Sequence, residues 1–64
     1  MKLEKYMADN QLTDEAMAKR LGKDRSVVSR YRRGEVTPPP DVIREIQRVT
    51  ERAVQFNDWF EGAA

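Results

Sequence analysis

The sequence predicts an all-α domain of four to five short helices within its 64 residues. Apolar residues recur at spacings of three and four, which is the period of a helix with one buried face. Gly and Pro residues divide the chain into segments of the length that short helices have. A chain of this size without cysteine forms one domain at most, because it lies near the lower limit for folding without a disulfide or a metal.

The first two helices are predicted from their apolar faces and their ends. The first helix places three apolar residues on one face: Leu3, Tyr6 and Met7. We expect Asn10 to end it in the left-handed conformation. Thr13 is a favoured N-cap for the second helix, and Gly22 ends that helix. The inner stripe of the second helix is Met17, Ala18 and Leu21.

A third helix follows Gly22 almost at once, with Asp24 as its expected N-cap and Gly34 at its end. Its inward residues are Val28 and Tyr31. The segment "EVTPPPD" predicts a rigid connector, because each Pro lacks an N–H donor and restricts the residue before it. Pro40 can begin a fourth helix. The apolar side of that helix is Val42, Ile43, Ile46 and Val49.

The C-terminal element, about residues 54–60, has two interpretations. The alternation of Val54 and Phe56 favours a strand, whereas the spacing of Phe56, Trp59 and Phe60 favours a helix. A β-hairpin over residues 50–60 therefore remains an alternative. Trp59 either closes the core or leaves an apolar patch for self-association. Residues 61–64 are expected to fray.

Positive charge is concentrated in the middle of the chain. Residues 19–33 carry seven Lys or Arg against Asp24, for +6, although the whole chain has a net charge of +1. Residues 1–18 and 41–61 each sum to −2. This cluster is either a solvated helix face or a surface that binds a polyanion.

Composition excludes several kinds of function. The chain has no His and no Cys, so it lacks the commonest general base and the ligands of a thiolate zinc site. We predict no enzymatic activity, no cofactor, no metal and no small-molecule substrate.

No apolar run is long enough to span a bilayer, and the charged N-terminus is unlike a signal peptide. A cytoplasmic location is therefore expected.

The basic middle also fits a helix-turn-helix. That motif needs a small residue where its two helices cross, a Gly in the turn and an apolar residue that anchors the second helix. Ala18, Gly22 and Val28 meet these needs in order. The stretch "LTDEAMAKRLGKDRSVVSRYRRGEVTPPPDVIREI" resembles the Cro/CI-type, lambda-repressor-like family of phage repressors and related bacterial regulators. The tail "RVTERAVQFNDWF" is similar to the end of small Cro-like members, so the resemblance covers roughly residues 3–60.

The resemblance implies a compact DNA-binding domain with its helix-turn-helix at about residues 14–33. It implies a transcriptional regulator, of the repressor kind, that occupies a pseudo-palindromic operator as a weak homodimer strengthened on DNA. The implied place of action is the nucleoid of a bacterial host. The alternative is an antitoxin-like or other protein-interaction module.

Candidate DNA contacts lie on the face of the third helix opposite Val28 and Tyr31, and around the second helix. An Arg can bind the O6 and N7 atoms of guanine with two hydrogen bonds, and Ser allows close approach. The predicted base-reading residues are Arg25, Ser26, Ser29 and Arg30. The predicted phosphate-binding residues are Thr13, Lys19, Lys23 and Arg33.

Three positions depart from the family pattern. Asp14 stands where many relatives have a Gln that grips a phosphate, and we expect its carboxylate to repel one. Glu35 follows the third helix where relatives often have basic residues, and Lys23 replaces a commonly apolar turn residue. Arg32 is expected to point away from the DNA groove.

Overall fold

The computed structural model describes residues 1–60, which contain four α-helices followed by a 3₁₀ helix. The α-helices are α1 (Leu3–Asp9), α2 (Asp14–Leu21), α3 (Arg25–Arg32) and α4 (Pro40–Val49), and the 3₁₀ helix spans Phe56–Trp59. The predicted all-α class is confirmed. No strand occurs within the described range, so the hairpin alternative over residues 50–60 is wrong. The predicted frayed end, residues 61–64, lies outside it.

α1 ends differently from the prediction. Asn10 has φ −103°, so it is not the left-handed residue. Gln11 takes that conformation instead, with φ 54°. The turn lets the Leu12 N–H donate to the Met7 carbonyl at 2.8 Å. The Asn10 side chain donates to the Tyr6 carbonyl at 2.8 Å, and the same carbonyl accepts from the Asn10 N–H at 3.1 Å.

α2 and α3 form the predicted helix-turn-helix. The Thr13 hydroxyl accepts a hydrogen bond from the Ala16 N–H at 3.1 Å, so the predicted N-cap of α2 is confirmed. Gly22 has φ 68°, as the tight turn requires. Asp24 occupies the N-cap position of α3, but its side chain makes no capping hydrogen bond, and that part of the prediction is wrong. The Asp24 backbone carbonyl accepts the first hydrogen bond of the helix, from the Val28 N–H at 3.2 Å.

One hydrophobic core joins the helices, and α2 packs most extensively against α3. The predicted inward residues of both helices are buried, with Val28 and Met17 fully enclosed. On α4, Val49 is only half-buried. The buried residues of α4 are Val42, Ile43 and Ile46. The core therefore fixes which face of α3 is left for solvent.

Thr50 connects α4 to the C-terminal segment. It is 3% exposed, and its hydroxyl donates to the Ile46 carbonyl at 2.7 Å and accepts from the Val54 N–H at 3.2 Å. Val54 is fully buried. The 3₁₀ helix then begins with a capping box, in which the Gln55 N–H donates to the Asp58 carboxylate at 2.7 Å.

The aromatic residues of this segment divide into two groups. Trp59 is half-buried and packs edge-on against Tyr31 of α3, with ring centroids 6.4 Å apart and planes at 76°. Trp59 therefore helps to close the core, which was the first of the two interpretations given for it. Phe56 and Phe60 are 44% and 52% exposed, and their centroids lie 5.6 Å apart. We call these two residues the phenylalanine patch.

Candidate nucleic-acid interface

The two sides of α3 differ sharply in burial. Val28 and Tyr31 are 0% and 7% exposed and anchor the helix to the core. Arg25, Ser26 and Arg30, three of the predicted base-reading residues, are exposed on the other side. The core thus turns two guanidinium groups and a small hydroxyl toward solvent on one helix, which is the arrangement that a major groove can accept.

Ser29, the fourth predicted base-reading residue, has a different environment. It is half-buried. Arg32 is the main cause that holds the pKa of Asp14 below its usual value, and the Ser29 hydroxyl is a lesser one. Ser29 therefore lies at the edge of the exposed face, where α3 meets the beginning of α2. Its side chain stands beside a carboxylate rather than fully in solvent.

Most of the basic cluster is free of acidic partners. Of the seven cations between residues 19 and 33, two form ion pairs within residues 1–60, namely Arg32 with Asp14 and Arg33 with Glu35. The other five have no ion pair in that part of the chain: Lys19, Arg20, Lys23, Arg25 and Arg30. Their charge is available to an external anion.

Asp14 and Arg32 form a two-pronged ion pair between α2 and α3. Arg32 Nε donates to Asp14 Oδ1 at 2.7 Å, and Arg32 Nη2 donates to Asp14 Oδ2 at 3.2 Å. Arg32 Nη1 also lies 3.9 Å from a carboxylate oxygen of Glu4 on α1. Hydrogen bonding from Arg32 holds the pKa of Asp14 below its usual value, although burial acts in the opposite direction. Asp14 is thus not a bare negative charge at the start of α2.

The predicted phosphate-binding residues lie around this same pair of helices. Lys19 and Lys23 are exposed near the end of α2 and in the turn. Thr13 is exposed at the start of α2, where its hydroxyl already serves the Ala16 N–H. Arg33 Nε lies 3.1 Å from a Glu35 carboxylate oxygen, and both side chains are half in solvent.

The sequence interpretation missed several contacts that hold α3 and the C-terminal segment in place. Arg32 and Asp14 are 18 residues apart, and no local pattern relates them. The role of Thr50 had a signal, because Thr50 follows Ile46 by four residues on the inner stripe of α4. The Met1 ammonium is a further support, since it donates to the Ala53 carbonyl at 2.6 Å and to Asp58 Oδ2 at 2.9 Å.

Residues 1–60 contain neither a metal-binding cluster nor a membrane-spanning helix. That range has no cluster of three or more acidic side chains placed to hold a metal ion. None of its helices has the length and apolarity needed to cross a membrane.

Comparison with known proteins assigns the family. The helix-turn-helix family model matches residues 3–56, which run from the start of α1 to the first residue of the 3₁₀ helix. Neither the curated proteins nor the solved structures include a match. The family consists of DNA-binding regulators and is generally non-enzymatic. With two helices joined at Gly22 and an exposed basic side on the second, the chain belongs to the Cro/CI-type helix-turn-helix family of DNA-binding regulators.

Proposed function

We propose that the chain is a sequence-specific transcriptional repressor of Cro type, which occupies a pseudo-palindromic operator as a dimer and blocks polymerase. Its place of action is the cytoplasm of a bacterial host, on the nucleoid. The observation that carries the proposal is the exposed side of α3, which offers Arg25, Ser26 and Arg30 without any acidic partner in residues 1–60. Helices of this kind fit the major groove of B-DNA.

Arg25 and Arg30 are the residues proposed to contribute most to base discrimination. A guanidinium that forms two hydrogen bonds with guanine O6 and N7 contributes about 1–3 kcal/mol of discrimination. Ser26 and Ser29 are small enough to let the helix approach the bases closely, and their hydroxyls can donate or accept a hydrogen bond at a base edge. Because Ser29 is half-buried beside Asp14, its contact belongs at the margin of the groove.

Phosphate contacts fall to Lys19, Lys23, Arg33 and the start of α2 at Thr13. Lys19 and Lys23 need break no ion pair within residues 1–60 to reach DNA. Arg33 must leave Glu35, but an exposed pair of this kind contributes only about 0–1 kcal/mol. Such contacts set affinity and salt dependence for every sequence rather than base preference.

The phenylalanine patch is the proposed contact between two protomers. Phe56 and Phe60 each expose roughly 100 Å² of apolar surface to water, which is about 200 Å² together. A stable interface buries about 800 Å² on each partner, so this patch supports a weak dimer that DNA strengthens. In such a dimer the two α3 helices contact half-sites about 34 Å apart.

Selection from random duplex DNA at near-physiological salt tests the proposal. A two-fold symmetric site with half-sites about one helical turn apart is the expected product. Enrichment of an unpaired half-site would remove the dimer from the proposal. If no sequence is enriched, the basic cluster serves another purpose, and the protein-interaction alternative takes first place.

Single substitutions then separate the two kinds of DNA contact. Arg30→Ala should lose preference at one base pair, with a cost of about 1–3 kcal/mol on the selected site. Lys19→Gln should weaken all duplexes about equally and reduce the slope of log K against log salt by about one. Arg44→Ala is a matched control, because it removes an exposed arginine of α4 that has no ion pair in residues 1–60. It should leave base preference unchanged.

A further inference from the structure

The polar contacts between α2 and α3 converge on one carboxylate. Asp14 is the first residue of α2, and Arg32 is the last residue of α3. The side chains of Asp14 and Arg32 are only 21% and 30% exposed, and two hydrogen bonds of 2.7 and 3.2 Å join them. Ser29 lies beside the same carboxylate. The pair therefore ties the beginning of the first helix of the motif to the end of the second.

We propose that the Asp14–Arg32 pair is a positioning device for sequence recognition: it fixes the angle between α2 and α3 so that α3 can read bases while α2 faces the phosphate backbone. The inference rests on the proposed function and adds to it. Arg32 and Asp14 are positioning residues here, because neither is assigned a contact with a base.

The length of the two helices explains why one ion pair can affect base recognition. Gly22 sets the turn at one end of α2, and Asp14 lies at the other end. α2 and α3 each have eight residues and are about 12 Å long, so a tilt of about 10° at the turn moves the far end of α3, where Arg30 lies, by about 2 Å relative to α2. A shift of that size exceeds the tolerance of a two-pronged contact between arginine and guanine. The ion pair resists this tilt because its two hydrogen bonds are directional and partly buried.

A charge argument alone predicts the opposite result, and this makes the proposal testable. Asp14 is a negative charge next to the proposed phosphate contact at Thr13. Asp14→Asn removes that charge and releases the guanidinium of Arg32. If only electrostatics mattered, every duplex would bind Asp14→Asn more tightly than it binds the wild type. Positioning predicts weaker binding to the selected site.

The experiment compares wild type, Asp14→Asn and Arg32→Lys on the selected site and on a random-sequence duplex across a range of salt. Arg32→Lys keeps the charge and loses the planar two-pronged geometry. Both variants should lose about tenfold on the selected site, equivalent to about 1.4 kcal/mol, because a base contact is misaligned. Binding to the random duplex should be unchanged for Arg32→Lys and unchanged or tighter for Asp14→Asn.

Glu45→Gln is the matched control, since it removes one negative charge and breaks a two-pronged pair with Arg48 on the exposed surface of α4. Its ratio of specific to random binding should equal that of the wild type. Circular dichroism establishes that each variant is folded, and Arg32→Lys decides the question if Asp14→Asn does not fold. An unchanged ratio in the folded variants would overturn the positioning role while leaving the proposed function intact. A wild type without base preference would overturn both.

Discussion

Thr50→Val should destabilise the protein through a single buried backbone amide. Valine has nearly the shape of threonine, so the substitution removes the hydroxyl and leaves packing in place. The Ile46 carbonyl loses the hydroxyl donor but keeps the Thr50 N–H, which donates to it at 3.0 Å. The Val54 N–H loses its acceptor, the Thr50 hydroxyl at 3.2 Å, and Val54 is fully buried.

The magnitude follows from that one orphaned group. A buried donor left without a partner costs about 1–3 kcal/mol. The added methyl group returns about 0.8 kcal/mol if it is buried well. A net loss of about 0–2 kcal/mol is expected, which lowers the melting temperature by up to roughly 15 °C in a domain of this size.

Thermal unfolding and hydrogen exchange of the Val54 amide measure the effect. Thr50→Ser is the control, because it keeps the hydroxyl and gives up only a methyl group. Both variants lower the melting temperature, but only Thr50→Val should speed exchange of the Val54 amide beyond the change in global stability. A Thr50→Val protein as stable as wild type, with equal protection at Val54, would refute the role given to the hydroxyl.

Three further predictions concern the backbone and the ion pair. Arg52 has φ 69°, so Arg52→Gly should stabilise the protein by about 0.5–1 kcal/mol in urea unfolding, whereas Arg44→Gly within α4 should cost about 1 kcal/mol; equal effects would contradict this. Gly22→Ala should cost about 1 kcal/mol, because φ is 68° and no neighbouring atom lies within 4 Å of an added Cβ; a neutral result would mean that the turn relaxes. Asp14 has a lowered pKa when folded, so its stabilising contribution is complete above the unfolded value of about 3.9 and fades as pH falls below about 4. The difference in unfolding free energy between wild type and Asp14→Asn should shrink over that range, and a constant difference down to pH 3 would refute it.

The helix-turn-helix could be predicted because its signals are local. Thr13 and Gly22 act on backbone groups within a few residues of themselves, and the burial of Val28 and Tyr31 follows from helical spacing. The C-terminal segment could not be decided in this way, since seven residues carried both a strand and a helix pattern. Packing resolved it, because Trp59 reaches Tyr31 and the Thr50 hydroxyl holds Val54 in the core.

The candidate site likewise has features that the sequence shows and features that only tertiary contacts decide. The basic charge of residues 19–33 is readable directly, and so is the side of α3 that carries Arg25 and Arg30. Which cations remain available is a tertiary property, because an ion pair depends on side chains brought together from distant positions. Arg32 pairs with Asp14, 18 residues away, whereas Arg33 pairs locally with Glu35.

The sequence alone determined the helices, the turn between α2 and α3, and the location of the surplus positive charge. These features depend on hydrogen bonds, capping and spacing within about one turn of helix, where neighbouring residues are neighbours in space. Only the tertiary structure decided the end of the chain, the partner of Arg32 and the exposure of Phe56 and Phe60. Those depend on contacts between residues far apart in the chain, such as Asp14 with Arg32, and neither residue type nor spacing specifies such contacts.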